Sequence, residues 1–255
     1  MTTIGRIICL IILTAVSTAL ISCGKGKTPD KGARVPEQQN ASEAQLKGME
    51  ESKTITVAKV NGVNISMLDL RKEINTIKNQ YLKPGEQPDP KVKEQINKDA
   101  LDRLIYRELA VQEAQRQGMK ATPEMIAKAL QQLKTGLKTE EAYKDQLSKS
   151  GLSEEALKAQ LGRGLLVDMI TQKEIDNKVK VTSQQAKKYY EEHKAHFKDE
   201  AGKQMTFEQV RPIVEQELMQ AAISAREDAW IKELKKTAKI EIMPLQQNQG
   251  SQAAK

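Results

Sequence analysis

The run from Thr54 to Ile77 constrains the fold more than any other part of the chain. Ile55, Val57 and Val60 form a β-rich segment that meets Asn61-Gly62. That dipeptide suits a two-residue hairpin turn, because both of its positions tolerate a positive φ. Val63 to Ile65 supplies a short second strand. Ser66 then stands where an N-cap belongs, and Asp69 three residues later completes a capping-box-like pair. Leu70, Ile74 and Ile77 follow at spacings of four and three, which is one face of a helix. Strand, turn and capped helix are all specified locally.

The chain after this run reads as helical. Asp89-Pro90 restarts a helix as N-cap and first helical residue, after the break at Lys83-Pro84-Gly85. Leu101, Leu104, Ile105, Leu109 and Val111 form its apolar arc, and Gly118 is a natural residue to end it. Thr122-Pro123 opens a third helix that Gly136 is expected to close. Thr139, Ser153, Thr182 and Thr206 open four more, the second of them carrying Gly162 and Gly164, where another helix can approach closely. The helix opened by Thr182 is expected to reach His196, and Pro212 falls early in the last helix.

The helical region closes on Lys239-Ile240-Glu241-Ile242-Met243, an apolar/polar alternation with the period of a strand. A lone short strand is not stable in water. The expected solution is a sheet in which Lys239–Met243 pairs with Ile55–Val60. The fold class expected is therefore mainly α: an elongated multi-helix module with a small sheet made by the N-terminal hairpin and the C-terminal strand. Aromatics are only 3% of the 255 residues, while helix-forming residues dominate, which favours the same class.

The N-terminus reads as delivery. Arg6 precedes an apolar run, Ile7 to Ile21, which is shorter than the roughly 20 residues of a spanning helix and matches a secretory signal. Leu20-Ile21-Ser22-Cys23-Gly24 resembles the lipobox of bacterial lipoproteins. That resemblance implies cleavage before Cys23 and lipid attachment at Cys23. It places the protein on the periplasmic face of the outer membrane in a diderm, or on the outer face of the cell membrane in a monoderm. Residues 24–52 are polar and rich in Gly, Pro and Gln, a flexible tether with an end-to-end distance on the order of 30 Å. Cys9 leaves with the signal and Cys23 is consumed by lipid, so no disulfide is expected. The formal charge of +7 is assigned to a solvated Lys/Glu helix surface rather than to nucleic acid, which an exported lipoprotein does not normally meet.

The order of elements carries a family resemblance. Val57 to Glu73, Leu101 to Leu109, and Gln115 to Glu124 with Gly118 and Thr122-Pro123-Glu124 resemble the N-terminal chaperone module of the SurA/PrsA family. Tyr189 to Phe197 is similar to the helix that leads out of that module. Val210 to Ile242, with Trp230, Leu234 and Ile240, is similar to the helix and strand that return to complete it. In that family a parvulin prolyl isomerase domain sits between those two parts. Here only Lys198 to Met205 lies between them, against the roughly 50 residues an independent domain needs. The expectation is a chaperone form lacking the parvulin domain, and not an enzyme. The expected division is a signal peptide over 1–22, a lipidated tether over 23–53, a chaperone module over 54–197, a linker over 198–205, a completing helix and strand over 206–243, and a disordered tail over 244–255.

The resemblance implies a membrane-tethered, ATP-independent holdase whose partners are unfolded or extended polypeptides in the cell envelope. The alternatives are a prolyl isomerase and an envelope scaffold that binds one folded partner. No cofactor, metal or catalytic residue is expected. His193 and His196 are read as helix-end residues, because structural zinc normally takes four protein ligands. Methionine is flexible and polarizable, which suits surfaces that accept many partners. Met125, Met169 and Met219, with Tyr143, are the candidate client-binding residues.

Overall fold

The computed structural model describes residues 51–83, 85–137 and 139–244. The signal segment, Cys23, nearly all of the tether and the tail beyond Pro244 lie outside these residues. The described chain is mainly helical, with one small antiparallel sheet.

The hairpin forms where its turn residues put it. Strand β1 (Thr56–Val60) and strand β2 (Val63–Ser66) are joined by Asn61 and Gly62, with φ of 50° and 87°. A positive φ at both central residues is what matches the right-handed twist of the two strands. Strand β3 (Ile240–Ile242) lies on the other side of β1, giving the order β2-β1-β3 with both pairings antiparallel. Ala58, Lys59 and Val60 face Ile242, Glu241 and Ile240. The long-range pairing expected from the terminal alternation is thus present. Asn61 ties it down twice: its N–H donates to the Lys239 carbonyl at 2.9 Å, and its Oδ1 accepts from the Lys239 N–H at 2.7 Å.

Helix α1 (Met67–Tyr81) starts at Ser66, whose Oγ accepts from the Asp69 N–H at 3.1 Å. The pair with Asp69 is not fully reciprocal, because the Asp69 carboxylate takes the Ser66 hydroxyl at 2.6 Å. Helix α2 (Pro90–Arg116) starts on Asp89, whose Oδ1 accepts from the N–H groups of Lys91 and Val92. It ends in a left-handed Gly118, with the Met119 N–H reaching back to the Ala114 carbonyl. Helices α3 (Pro123–Leu137), α4 (Glu140–Ser150) and α5 (Glu154–Glu174) follow, capped by Thr122, Thr139 and Ser153. Helix α3 runs one residue past Gly136, the expected stop. Gly162 faces Ile126, whose Cδ1 lies 3.3 Å from where a Cβ would stand, so the glycine admits α3 close to α5. Helix α6 (Ser183–Glu192) has a full capping box between Thr182 and Gln185. It stops short of His196, and Lys194–His196 is a separate 3-10 turn. Helix α7 (Phe207–Thr237) continues unbroken through Pro212.

The described residues fall into two compact units, one of residues 51–108 with 238–244 and the other of Leu109–Thr237. In the first, Val57, Val60, Ile65, Leu70, Ile77, Ile96 and Ile105 are buried together with Ala58 and Ala100. Its folded part begins earlier than Thr54: Ser52 is 2% exposed and its Oγ accepts from Arg71 at 2.8 Å. Glu73 on α1 is 5% exposed and answers two arginines on α2. Arg107 hydrogen-bonds to Oε2 at 3.1 Å, and Arg103 stands 3.6 Å from Oε1.

Truncation after Lys236 removes β3 and leaves β1 with a single neighbour, and a two-stranded hairpin is marginal in water. Amide hydrogen exchange should then lose protection from Val57 through Ile105, not only at the new terminus. Retained protection at Val57 and Val60 would contradict the assignment of β3 as the element that closes this unit.

Candidate functional site

Two groups of chemistry-bearing side chains stand out, both in the unit Leu109–Thr237. The first is aromatic. Ala186 and Tyr190 on α6 pack with Val210 and Val214 on α7, and Tyr189, Phe197, Met205, Phe207 and Leu218 surround them. The Tyr190 ring lies 5.6 Å from Phe197 and 5.8 Å from Phe207, within the range of favourable offset ring pairs. Its hydroxyl donates to the Met205 carbonyl at 2.6 Å, so the polar tip of a buried ring is satisfied.

The stretch 198–205, expected as a linker, is a closed turn on this cluster. Asp199 Oδ1 accepts from the N–H groups of Ala201 and Lys203, and Lys198 pairs with Gln204 across it. Gln204 Nε2 donates to the carbonyls of Lys194 and Phe197, each at 2.7 Å. His193 caps α6, with Nδ1 2.9 Å from the Tyr189 carbonyl and its ring stacked on Tyr189 at 4.2 Å. A ring nitrogen facing a carbonyl must carry the hydrogen, which fixes the tautomer. The His196 ring lies 6.1 Å away. Among the described residues, no three His, Cys, Asp or Glu side chains converge to hold a metal ion.

The candidate client-binding residues sit on four different helices. Met125 on α3 and Met169 on α5 are half-buried, and Met219 on α7 is 36% exposed. Tyr143 on α4 requires a correction. It is 2% exposed, its hydroxyl donates to Glu154 Oε2 at 3.2 Å, and Lys134 Nζ lies over its ring at 4.2 Å. Burial first, and then the Glu154 hydrogen bond, push its phenol up to about 12. Tyr143 is a core anchor of its unit, because α4 turns that side of itself inward. Cys23 lies outside the described residues.

The second group is acidic and escapes sequence reasoning. Asp168 on α5 is half-buried, and its carboxyl is pushed up to about 6 by desolvation and by the charge of Asp176. Asp176 lies in the turn that follows α5, with Oδ1 buried and without a hydrogen-bond partner among the described residues. A helical period cannot relate two residues on either side of a helix end. Beside them, Arg226 on α7 caps α5: its Nε donates to the Glu174 carbonyl at 2.9 Å, and its Nη2 lies 3.7 Å from the Glu174 carboxylate. Lys178 also pairs with Glu174, and this lowers the pKa of that carboxyl.

Comparison with known proteins bears on both units. A family model described as the SurA-like N-terminal domain matches residues 6–171. A second, the PPIC-type PPIASE domain, matches residues 181–254. The foldase protein PrsA of Clostridium perfringens is 29% identical over 158 residues, which is 57% of this chain and 45% of that protein. The chain thus spans less than half of that relative's length. The structure reported for the SurA-like chaperones PEB4 and Cj1289 of Campylobacter jejuni aligns over 75% of this chain and 100% of that one, at 12% identity and a TM-score of 0.49.

These matches overturn two expectations. The chain was expected to lack the parvulin domain and not to be an enzyme, but the isomerase-type model matches residues 181–254. The expectation failed because it looked for a domain inserted at 198–205. The match instead begins at the α6 cap and runs across α6, α7 and β3.

Asp168 gives this unit a pH signature. Its folded pKa lies above the carboxylate's ordinary value, so the folded state holds the proton more tightly than the unfolded chain. The contribution of Asp168 to stability should therefore fall as pH rises from about 4 to about 6, and level off above that. Asp168→Asn should flatten this decline and raise stability near neutral pH by about 1 kcal/mol, allowing for solvent screening. Urea unfolding across that pH range checks it. An unchanged pH profile would contradict the environment assigned to Asp168.

Proposed function

Because the chain belongs to the SurA-like N-terminal domain family, we propose that it is an exported, ATP-independent chaperone that holds extended segments of unfolded polypeptides in the cell envelope. The observation that carries this reading is the family match over residues 6–171. The relative from Clostridium perfringens is named a foldase, which fits the same class. Binding without nucleotide suits such a protein, since folding or handover of the client drives release.

Lipid on Cys23 would hold the folded part near the membrane, on the tether of residues 24–52. The lipobox-like Leu20-Ile21-Ser22-Cys23 supports this anchor. No described helix is long and apolar enough to cross a membrane. Met125, Met169 and Met219 are the side chains proposed to meet clients, because flexible thioethers adapt to varied apolar groups.

A second activity is favoured by one observation, the isomerase-type match at 181–254. In this reading the same chain speeds cis/trans exchange at proline bonds of the polypeptides it holds, as a foldase would.

Two assays separate the activities. Protein lacking residues 1–23 should suppress aggregation of a chemically unfolded client near equimolar ratio, and no suppression at stoichiometric excess would sink the chaperone reading. In a proline-peptide assay, isomerisation faster than the uncatalysed tens of seconds supports the second activity. An unchanged rate would remove it and leave the first standing.

A further inference from the structure

The sheet order β2-β1-β3 leaves β3 as an outer strand, and the register decides which of its backbone groups face outward. Asn61 donates to Lys239, and Met243 donates to the Val57 carbonyl at 3.0 Å. Hydrogen-bonded pairs alternate along an antiparallel ladder. Lys59 and Glu241, midway between those two pairs, therefore form the third bonded pair, and Ile240 and Ile242 direct their N–H and C=O groups away from β1. Neither has another hydrogen-bond partner among the described residues.

Ile240 and Ile242 share a face with Val60 and Ala58, the buried residues opposite them. The Ile242 side chain is nevertheless 61% exposed. The opposite face carries Lys59 and Glu241, with Lys239 paired to Glu241 at 2.7 Å. The edge thus presents four backbone groups in strand spacing, one uncovered apolar side chain and a charged reverse side.

We propose that the outer edge of β3 is a strand-pairing site for an extended polypeptide segment with apolar side chains at alternate positions, held by backbone hydrogen bonds to Ile240 and Ile242. With the segment antiparallel to β3, its residues bonded to Ile240 and Ile242 stand directly opposite them and lie on the Ile242 face, so apolar groups there complete its cover. The residues between them lie beside Lys59 and Glu241 and are polar. A helix cannot satisfy these four groups, whereas an extended segment can. A second copy of this chain fits poorly: the two-fold register pairing Ile240 with Ile242 sets the two Glu241 carboxylates opposite each other, and like charges so placed repel. The edge is short, and Pro244 just beyond it limits the ladder. Binding is therefore weak and reversible, as release without nucleotide requires. The inference rests on the chaperone reading and names the contact by which one client segment is held.

The test uses the protein lacking residues 1–23 and a short labelled peptide alternating Val and Ser, followed by fluorescence anisotropy. The peptide should bind, and amide exchange at Ile240 and Ile242 should slow in its presence. N-methylation at the Val residues removes the donors that face β3 and should weaken binding about tenfold, while N-methylation at the Ser residues should not. Ile242→Pro removes an outward N–H without touching the Glu241 bonds, and should weaken binding similarly while the thermal unfolding midpoint stays close to that of the unsubstituted protein. Equal binding of the two methylated peptides, no binding at all, or a concentration-dependent dimer that Ile242→Pro abolishes would each overturn the proposal. The aggregation assay judges the chaperone reading separately: suppression by Ile242→Pro equal to the parent's would leave that reading intact and place the holding surface elsewhere.

Discussion

The antiparallel contact between β1 and β3 is the interaction on which the first unit depends. It joins residues that lie 178 positions apart at the Asn61–Lys239 bond. Closing so long a loop costs entropy, although that cost grows only slowly with length. Asn61 serves two purposes in offsetting it. Its backbone takes the left-handed conformation that turns β1 into β2, and its amide oxygen receives the Lys239 N–H. Glycine would keep the turn and the backbone bond to Lys239 but lose the side-chain one, so the residue type is dictated from both directions.

The helices of the first unit are held by a different device. Glu73 is buried on α1, and its two arginines stand one helical turn apart on α2, so both reach the same carboxylate. Such a pair adds little net stability over an apolar substitute, because the charge was expensive to bury. What it contributes is register, since α2 cannot slide along α1 without stranding the carboxylate. In the second unit the same logic is partly relaxed. Asp168 and Asp176 are brought together without a cation on Asp176 Oδ1, and the local cations Arg226 and Lys178 are taken by Glu174.

Much of this was legible from the residues. Asn61-Gly62, Ser66, Asp89-Pro90, Thr139, Ser153 and Thr182 are local signals, and each produced the turn or cap it predicts. Strand β3 was legible because an alternation of period two stands out against helices. What escaped was set by tertiary packing. Tyr143 looked like a surface aromatic on a polar helix, yet it points into the unit and finds Glu154. Ser52 belonged by composition to the tether, but a hydrogen bond from Arg71 draws it into the fold. Asp168 and Asp176 come together only because the chain turns beyond α5. The isomerase-type match was illegible for another reason: the spacing leaves no room for a domain inserted at 198–205, whereas the match overlies the helices and strand on both sides of that stretch.

The account joins a hairpin closed by a distant strand, a helical unit with half-buried methionines, and membership of a family named for a chaperone. Its central claim is that the protein holds many unfolded polypeptides rather than one folded partner. Crosslinking in intact cells, followed by identification of the captured proteins, tests that claim most directly. The account predicts a broad set of exported polypeptides, captured substoichiometrically and enriched when their folding is perturbed. A single folded protein recovered at fixed stoichiometry would contradict it.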